Sequence, residues 1–134
     1  MTTPKAKFAG LALIAALCAG FTLGLTAPAW AGLDEGLAAY RRGDYVTAFG
    51  EWRPLAKQGN ADAQFNLGVM YSKGQGVPQD YALAHMWYNL AASRFPPGEG
   101  RDLAVKNRDI IAKRMTPAQI SEAQKLAREW RPKK

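Results

Sequence analysis

One cysteine and one histidine are present among the 134 residues. Cys18 lies inside an apolar run near the N-terminus, so a chain that loses that run has no thiol. Disulfide staples, thiol catalysis and cysteine–zinc sites are then excluded. His85 stands without a serine, a cysteine or a paired carboxylate at matched spacing, a weak basis for acid–base or nucleophilic chemistry. One histidine and scattered carboxylates do not make a tetrahedral metal site. Sustained strand alternation is also missing. Gly74-Gln75-Gly76 has no following Gly-Lys-Ser/Thr and no preceding strand, so it reads as a turn and not as a phosphate cradle. The expectation is a protein with no catalytic residue, no metal and no cofactor.

The N-terminus has the three parts of a secretory leader. Lys5 and Lys7 supply charge, Phe8 to Leu25 is uncharged and apolar, and Ala29-Trp30-Ala31 is a small-x-small end after Pro28. Cleavage after Ala31 would leave Gly32 first, giving a leader over 1–31 and one domain over 32–134. An uncleaved membrane anchor is the competing reading, because the apolar run approaches the roughly 20 residues that span a bilayer. A lipoprotein fits less well, since Cys18 follows Leu17 and sits within the run rather than at its end.

Charge is unevenly placed. The formal net charge is +7. Between Gly32 and Gly100 there are 6 basic and 7 acidic side chains, but Arg101 to Lys134 carries 10 basic and 4 acidic. For an exported protein this field suits anionic lipid, acidic wall polymer or an acidic protein surface better than nucleic acid.

The remainder reads as six helices. Leu33 to Arg42 places Leu33, Leu37 and Tyr40 on one face. Gly43 stops it and Asp44 caps a second helix with Tyr45, Ala48, Trp52 and Leu55 inward. Pro54 crowds the carbonyl of Gly50, which predicts a kink or an early stop. A third helix opens at Asp62, with Ala63, Leu67, Met70 and Tyr71 inward. Gly68 in its middle predicts close approach of a neighbouring helix. Gly74 to Pro78 is a loop whose glycines suit positive φ. Asp80 caps a fourth helix with Tyr81, Ala84, Tyr88 and Ala91 inward; His85 is placed at its flank. Arg101 to Met115 is the fifth helix, and Thr116-Pro117-Ala118-Gln119 is a capping-box start for the sixth. Trp130 is placed on the sixth helix's inward stripe.

The chain also matches itself. Asp44, Tyr45, Ala48 and Trp52 superpose on Asp80, Tyr81, Ala84 and Tyr88, and Tyr40 superposes on Tyr71. Periods of this length in a helical chain mean stacked hairpins that share a core. Ala61 and Ala63-Gln64 through Leu67-Gly68, Met70-Tyr71, Gly74, Gly76-Val77, Asp80-Tyr81, Ala84 and Trp87-Tyr88 to Ala91-Ala92 resemble the Sel-one-like repeat family, relatives of the tetratricopeptide repeats. Leu37 to Gly59 is a degenerate copy without the glycine loop. The resemblance implies an all-α superhelix, a solenoid of about three antiparallel helix pairs, serving as a scaffold for protein–protein contacts. It also implies a concave wall made by the first helix of each pair. Arg41, Gln64, Asn66 and Lys73 are the exposed candidates on that wall, followed by Lys106 and Arg108. Trp87, beside the fourth helix's inward stripe, is a further candidate anchor if exposed; packing against the fifth helix is its alternative.

The expectation is an exported, periplasmic or secreted adaptor that binds a protein partner as a monomer. The rival is a binder of anionic lipid or wall polymer through the basic C-terminal helices. A cell-wall hydrolase using His85 is the remaining alternative.

Overall fold

The computed structural model describes residues 28–133. They form α1 (Ala29–Arg41), α2 (Tyr45–Lys57), α3 (Ala61–Lys73), α4 (Tyr81–Arg94), α5 (Glu99–Ala112) and α6 (Pro117–Glu129). No strand occurs among the described residues. Of the segment read as a leader, residues 1–27 lie outside them. None of the described helices is long and apolar enough to cross a membrane.

Local chemistry sets the helix starts. Asp44 accepts from Thr47 N at 3.2 Å, Asn60 from Ala63 N at 2.9 Å, and Asp80 from Leu83 N at 3.0 Å. Each bond satisfies a backbone donor that the first turn leaves free. Asn60 is thus the cap of α3, which opens at Ala61 rather than at Asp62. Thr116 and Gln119 make the expected reciprocal capping box. Two boundaries move. The helix expected from Leu33 begins at Ala29, directly after Pro28, so a cut after Ala31 would trim its first turn. The helix expected over Arg101–Met115 runs instead over Glu99–Ala112. Arg101 bends back to donate to the carbonyl of Phe95 from Nε and Nη2, at 3.1 and 2.7 Å. Nor does Pro54 stop α2, which continues to Lys57.

Successive helices pack in order from α1 to α5, and α6 lies on α4. The crossings are lined with small side chains: Ala39, Ala48, Ala56, Ala63, Ala84, Ala91, Ala104 and Ala123 are all fully buried. Short side chains at a crossing let helix axes approach toward the near end of the usual 8–10 Å. Larger side chains fill the space around them. Trp52, Leu67, Met70, Met86, Trp87 and Leu90 form one cluster with the nearby alanines. Tyr88, Ile111 and Met115 form a second with Ala84 and Ala123, closing α5 and α6 over α4.

α4 is the centre of the molecule. A one-sided stripe was expected, yet His85, Met86, Trp87, Leu90 and Ala92 are buried along with Ala84, Tyr88 and Ala91. The reason is visible in its composition: no Asp, Glu, Lys or Arg occurs between Tyr81 and Ser93. A helix without a charged face is a buried helix.

The internal repeat has a structural counterpart. A Cβ on Gly68 would lie 2.6 Å from Cδ1 of Tyr88. One on Gly36 would collide with the Trp52 indole. In each hairpin the second helix therefore seats an aromatic ring on a glycine of the first, the close approach expected at Gly68. Gly74 and Gly76 take φ of 67° and 72°, as the loop requires. The same loop ties the hairpins together: Gly76 packs on the Tyr45 backbone, and Tyr40 Oη donates to Gln75 Oε1 at 2.8 Å.

Candidate functional site

The first helix of each pair, α1, α3 and α5, lines one face. Along α3, Asp62, Phe65, Asn66, Val69, Ser72 and Lys73 recur at helical spacing and form a floor. Three hollows follow it. One, about 180 Å³, lies between α1 and α3 and is lined by Leu37, Tyr40, Trp52, Asn66 and Val69. The next, about 370 Å³, lies between α3 and α5, with Phe65, Val69, Lys73, Asn107 and Ile110 among its walls. The last, about 180 Å³, is lined by Asp62, Phe65, Phe95, Gly100 and Leu103. Val69 is shared by the first two and Phe65 by the last two, so they make one groove.

The groove is apolar with a few polar groups. Leu37 and Ile110 are 39% and 46% exposed on opposite walls, and Leu103 is 42% exposed beyond them. Tyr88 forms part of the base, with Phe65 packed edge-on at 5.5 Å between centroids. Burial pushes the Tyr88 phenol above its ordinary value, while Ser72 and Asn107 act in the opposite sense. The phenol therefore stays neutral and serves as a hydrogen-bonding group at the bottom of the groove.

The candidate residues divide. Asn66 and Lys73 line the groove. Arg41 and Lys106 are exposed but line none of the three hollows. Gln64 is not on the wall: it is fully buried, and its Nε2 donates to Ala56 O at 3.1 Å, tying α3 to α2. Trp87 is not an exposed anchor either, being 6% exposed. Its ring meets Trp130 of the C-terminal segment edge-on, at 6.4 Å between centroids, and not α5 as the alternative had it. Arg108 is directed to its own fold, donating to Asn89 Oδ1 at 3.0 Å and pairing with Asp109 at 2.9 Å. Leu37, read on one face with Leu33 and Tyr40, is exposed at the groove, and so is Ile110. The adjacent pair Ile110-Ile111 carried the signal, since neighbouring helical positions point about 100° apart and only Ile111 reaches the interior.

His85 is buried rather than flanking, with Nδ1 lacking a hydrogen-bond partner. It lines none of the groove hollows and so is not presented to a substrate there. Burial holds its pKa below the ordinary 6.5; Arg108 adds to this and Asp109 opposes it. An unfolded chain takes up a proton near 6.5 while the folded one resists it, so this contribution is complete above that pH and is lost as pH falls below it. Melting curves between about pH 7.5 and 5 should show the decline, and His85→Gln should flatten it. An unchanged slope in the variant would mean that other groups set the acid limit.

Among the described residues no three of His, Cys, Asp and Glu are placed to hold a metal ion. The basic C-terminal quarter is partly engaged in the fold: Arg101, Arg108 and Arg131 all donate to internal oxygens.

Comparison with known proteins selects the same unit that the geometry does. The family model described as Sel1 repeat matches residues 61–94, which are α3, its glycine loop and α4. Two curated proteins of Arabidopsis thaliana are also similar to part of this chain. The chain is 42% identical over 65 residues to the ERAD-associated E3 ubiquitin-protein ligase component HRD3A, covering 42% of this chain and 10% of that protein. It is 42% identical over 55 residues to the corresponding component HRD3B, covering 39% of this chain and 9% of that protein. The chain thus spans about a tenth of the curated relatives it matches. No solved structure matches. At the centre of an all-α fold, residues 61–94 are thus similar to a Sel1 repeat.

Proposed function

We propose that this protein is an exported adaptor of the cell envelope, a monomer that holds a segment of a partner protein in the α1–α3–α5 groove. The observation that carries this reading is the continuous line of hollows along α3, with Leu37 and Ile110 exposed on facing walls. An apolar groove with a few polar groups along its floor suits a peptide that inserts side chains at intervals and is held between them. The relatives are named as components of a ligase, which agrees with a connecting role for the shared repeat. Export rests on the sequence of residues 1–31, with its basic start, apolar run and small-residue end.

Crosslinking and pull-down from the native envelope test this. The wild-type chain, beginning at Gly32, should capture one partner in a salt-tolerant manner. Leu37→Ser with Ile110→Ser should lose it. Burying a Leu or Ile side chain contributes about 1.5–3 kcal/mol, so each change should weaken binding roughly 10- to 100-fold. Because both side chains are exposed in the free protein, the melting temperature should hardly move. Equal capture by the double variant would place the partner elsewhere, and a chain retaining residues 1–31 would be anchored rather than released.

A further inference from the structure

The outer face of α2 carries a second surface, away from the groove residues. Val46, Phe49, Gly50, Arg53, Pro54 and Lys57 recur along it at helical spacing. Val46 is 73% exposed, and the other five line a hollow of about 300 Å³. The stripe is apolar at its N-terminal end and cationic at its C-terminal end. The helix dipole favours a cation in a last turn, which accounts for Lys57 but not for Arg53 one turn earlier. Nor does it account for a third cation, Lys133. The C-terminal tail returns across the molecule, and Lys133 N donates to Lys57 O at 2.8 Å.

This arrangement brings Lys133 to the end of α2 that carries Arg53 and Lys57. Arg53, slight desolvation and Lys133 hold the Lys57 ammonium below its ordinary pKa. The ion pairs among the described residues, Arg42–Asp44 and Arg108–Asp109, include none of the three. Converging cations beside an apolar recess are complementary to an anion with an apolar neighbour. A recess of about 300 Å³ beside the cations has room for a single peptide side chain.

We infer that the Arg53–Lys57–Lys133 cluster and the adjoining hollow bind an acidic peptide segment of a partner protein. Carboxylates engage the cations, Arg53 through its planar fork, and a neighbouring apolar side chain rests on Phe49 and Pro54. The site is independent of the groove.

Fluorescence anisotropy with the full-length chain tests the site. The probe is a labelled, acetylated hexapeptide alternating aspartate and leucine. Wild type should bind it at low salt and release it at about 0.5 M salt. Arg53→Ala with Lys57→Ala should weaken binding at least about 10-fold without changing the melting temperature, since losing charge-assisted hydrogen bonds costs about that much or more. Lys125→Ala with Arg128→Ala on α6, and Leu37→Ser with Ile110→Ser in the groove, should bind as wild type does. The proposal is overturned if wild type does not bind, or if the Arg53/Lys57 variant retains full affinity. Loss of binding in the groove variant would also overturn it. So would a cluster variant that loses only its attachment to phosphatidylglycerol vesicles, because the partner would then be a membrane.

Discussion

Replacing Trp52 with alanine should remove about 3–5 kcal/mol of stability, the usual cost of deleting a fully buried large aromatic. Small domains have only about 5–15 kcal/mol in total, so urea unfolding should show a much earlier midpoint. The reason is the number of contacts that converge on one ring. Trp52 is 2% exposed, lies on Gly36, and donates from Nε1 to Leu33 O at 3.2 Å. Tyr40 packs against it at 5.8 Å between centroids. All three partners are on α1, so the indole is the main clamp between α1 and α2. Alanine leaves a cavity that neither helix can fill without moving, because their crossing already contains Ala39 and Ala48, both fully buried. The effect should reach the groove as well. Leu37 and Tyr40 form its α1 wall, and Trp52 lies at the base of the same hollow. Partner binding should therefore fall together with stability. Trp52→Phe separates the contributions, since it retains most of the ring volume and loses one hydrogen bond, at about 1 kcal/mol for the bond. A Trp52→Ala loss below about 1 kcal/mol would show that α1 is held by other contacts.

The second large effect is expected at Trp87. Its replacement by alanine should also cost about 3–5 kcal/mol. Part of that loss should be shared with Trp130, which stacks edge-on against it and carries the Arg94 guanidinium 4.8 Å from its ring centroid. Aromatic pairs are coupled by about 0.5–1.5 kcal/mol beyond their burial. A double-mutant cycle with Trp130→Ala should therefore be sub-additive by about that amount. Additivity within about 0.3 kcal/mol would mean that the rings merely adjoin. The tail is the reason this pair bears on function. Trp130 fixes the point from which residues 131–133 return to Lys57. With Trp87 truncated, Lys133 loses its anchor, and affinity for the acidic peptide should fall even though Arg53 and Lys57 are intact.

The sequence and the fold contributed different parts of this description. Three helix starts were legible because capping is local: Asp44, Asp80 and Thr116 each bond a donor three residues ahead, and those spacings are visible in the chain. The hairpin repeat was legible for a related reason. Asp44-Tyr45 and Asp80-Tyr81 mark the same step in the same plan. Even the close approach at Gly68 followed from a glycine where helix propensity argues against one.

Exposure was another matter. Gln64 is a polar residue that the fold buries to bridge α3 and α2, while Leu37 is an apolar one that it leaves at the groove edge. Residue type states a preference for water or interior, but the neighbouring helices decide which faces remain open. Trp87 shows the same limit, since its partner Trp130 lies 43 positions further along the chain and belongs to no local period.

By itself, then, the sequence determined the six helices, three of their caps, the glycine loop and the repeated hairpin, because these depend on groups within about four residues of each other. Only the tertiary structure decided that α4 is enclosed, that α6 lies on it, that the tail returns to α2, and that the groove runs along α3. Those outcomes depend on how helices far apart in the chain fill one another's surfaces, and close packing is a property of the assembled interior.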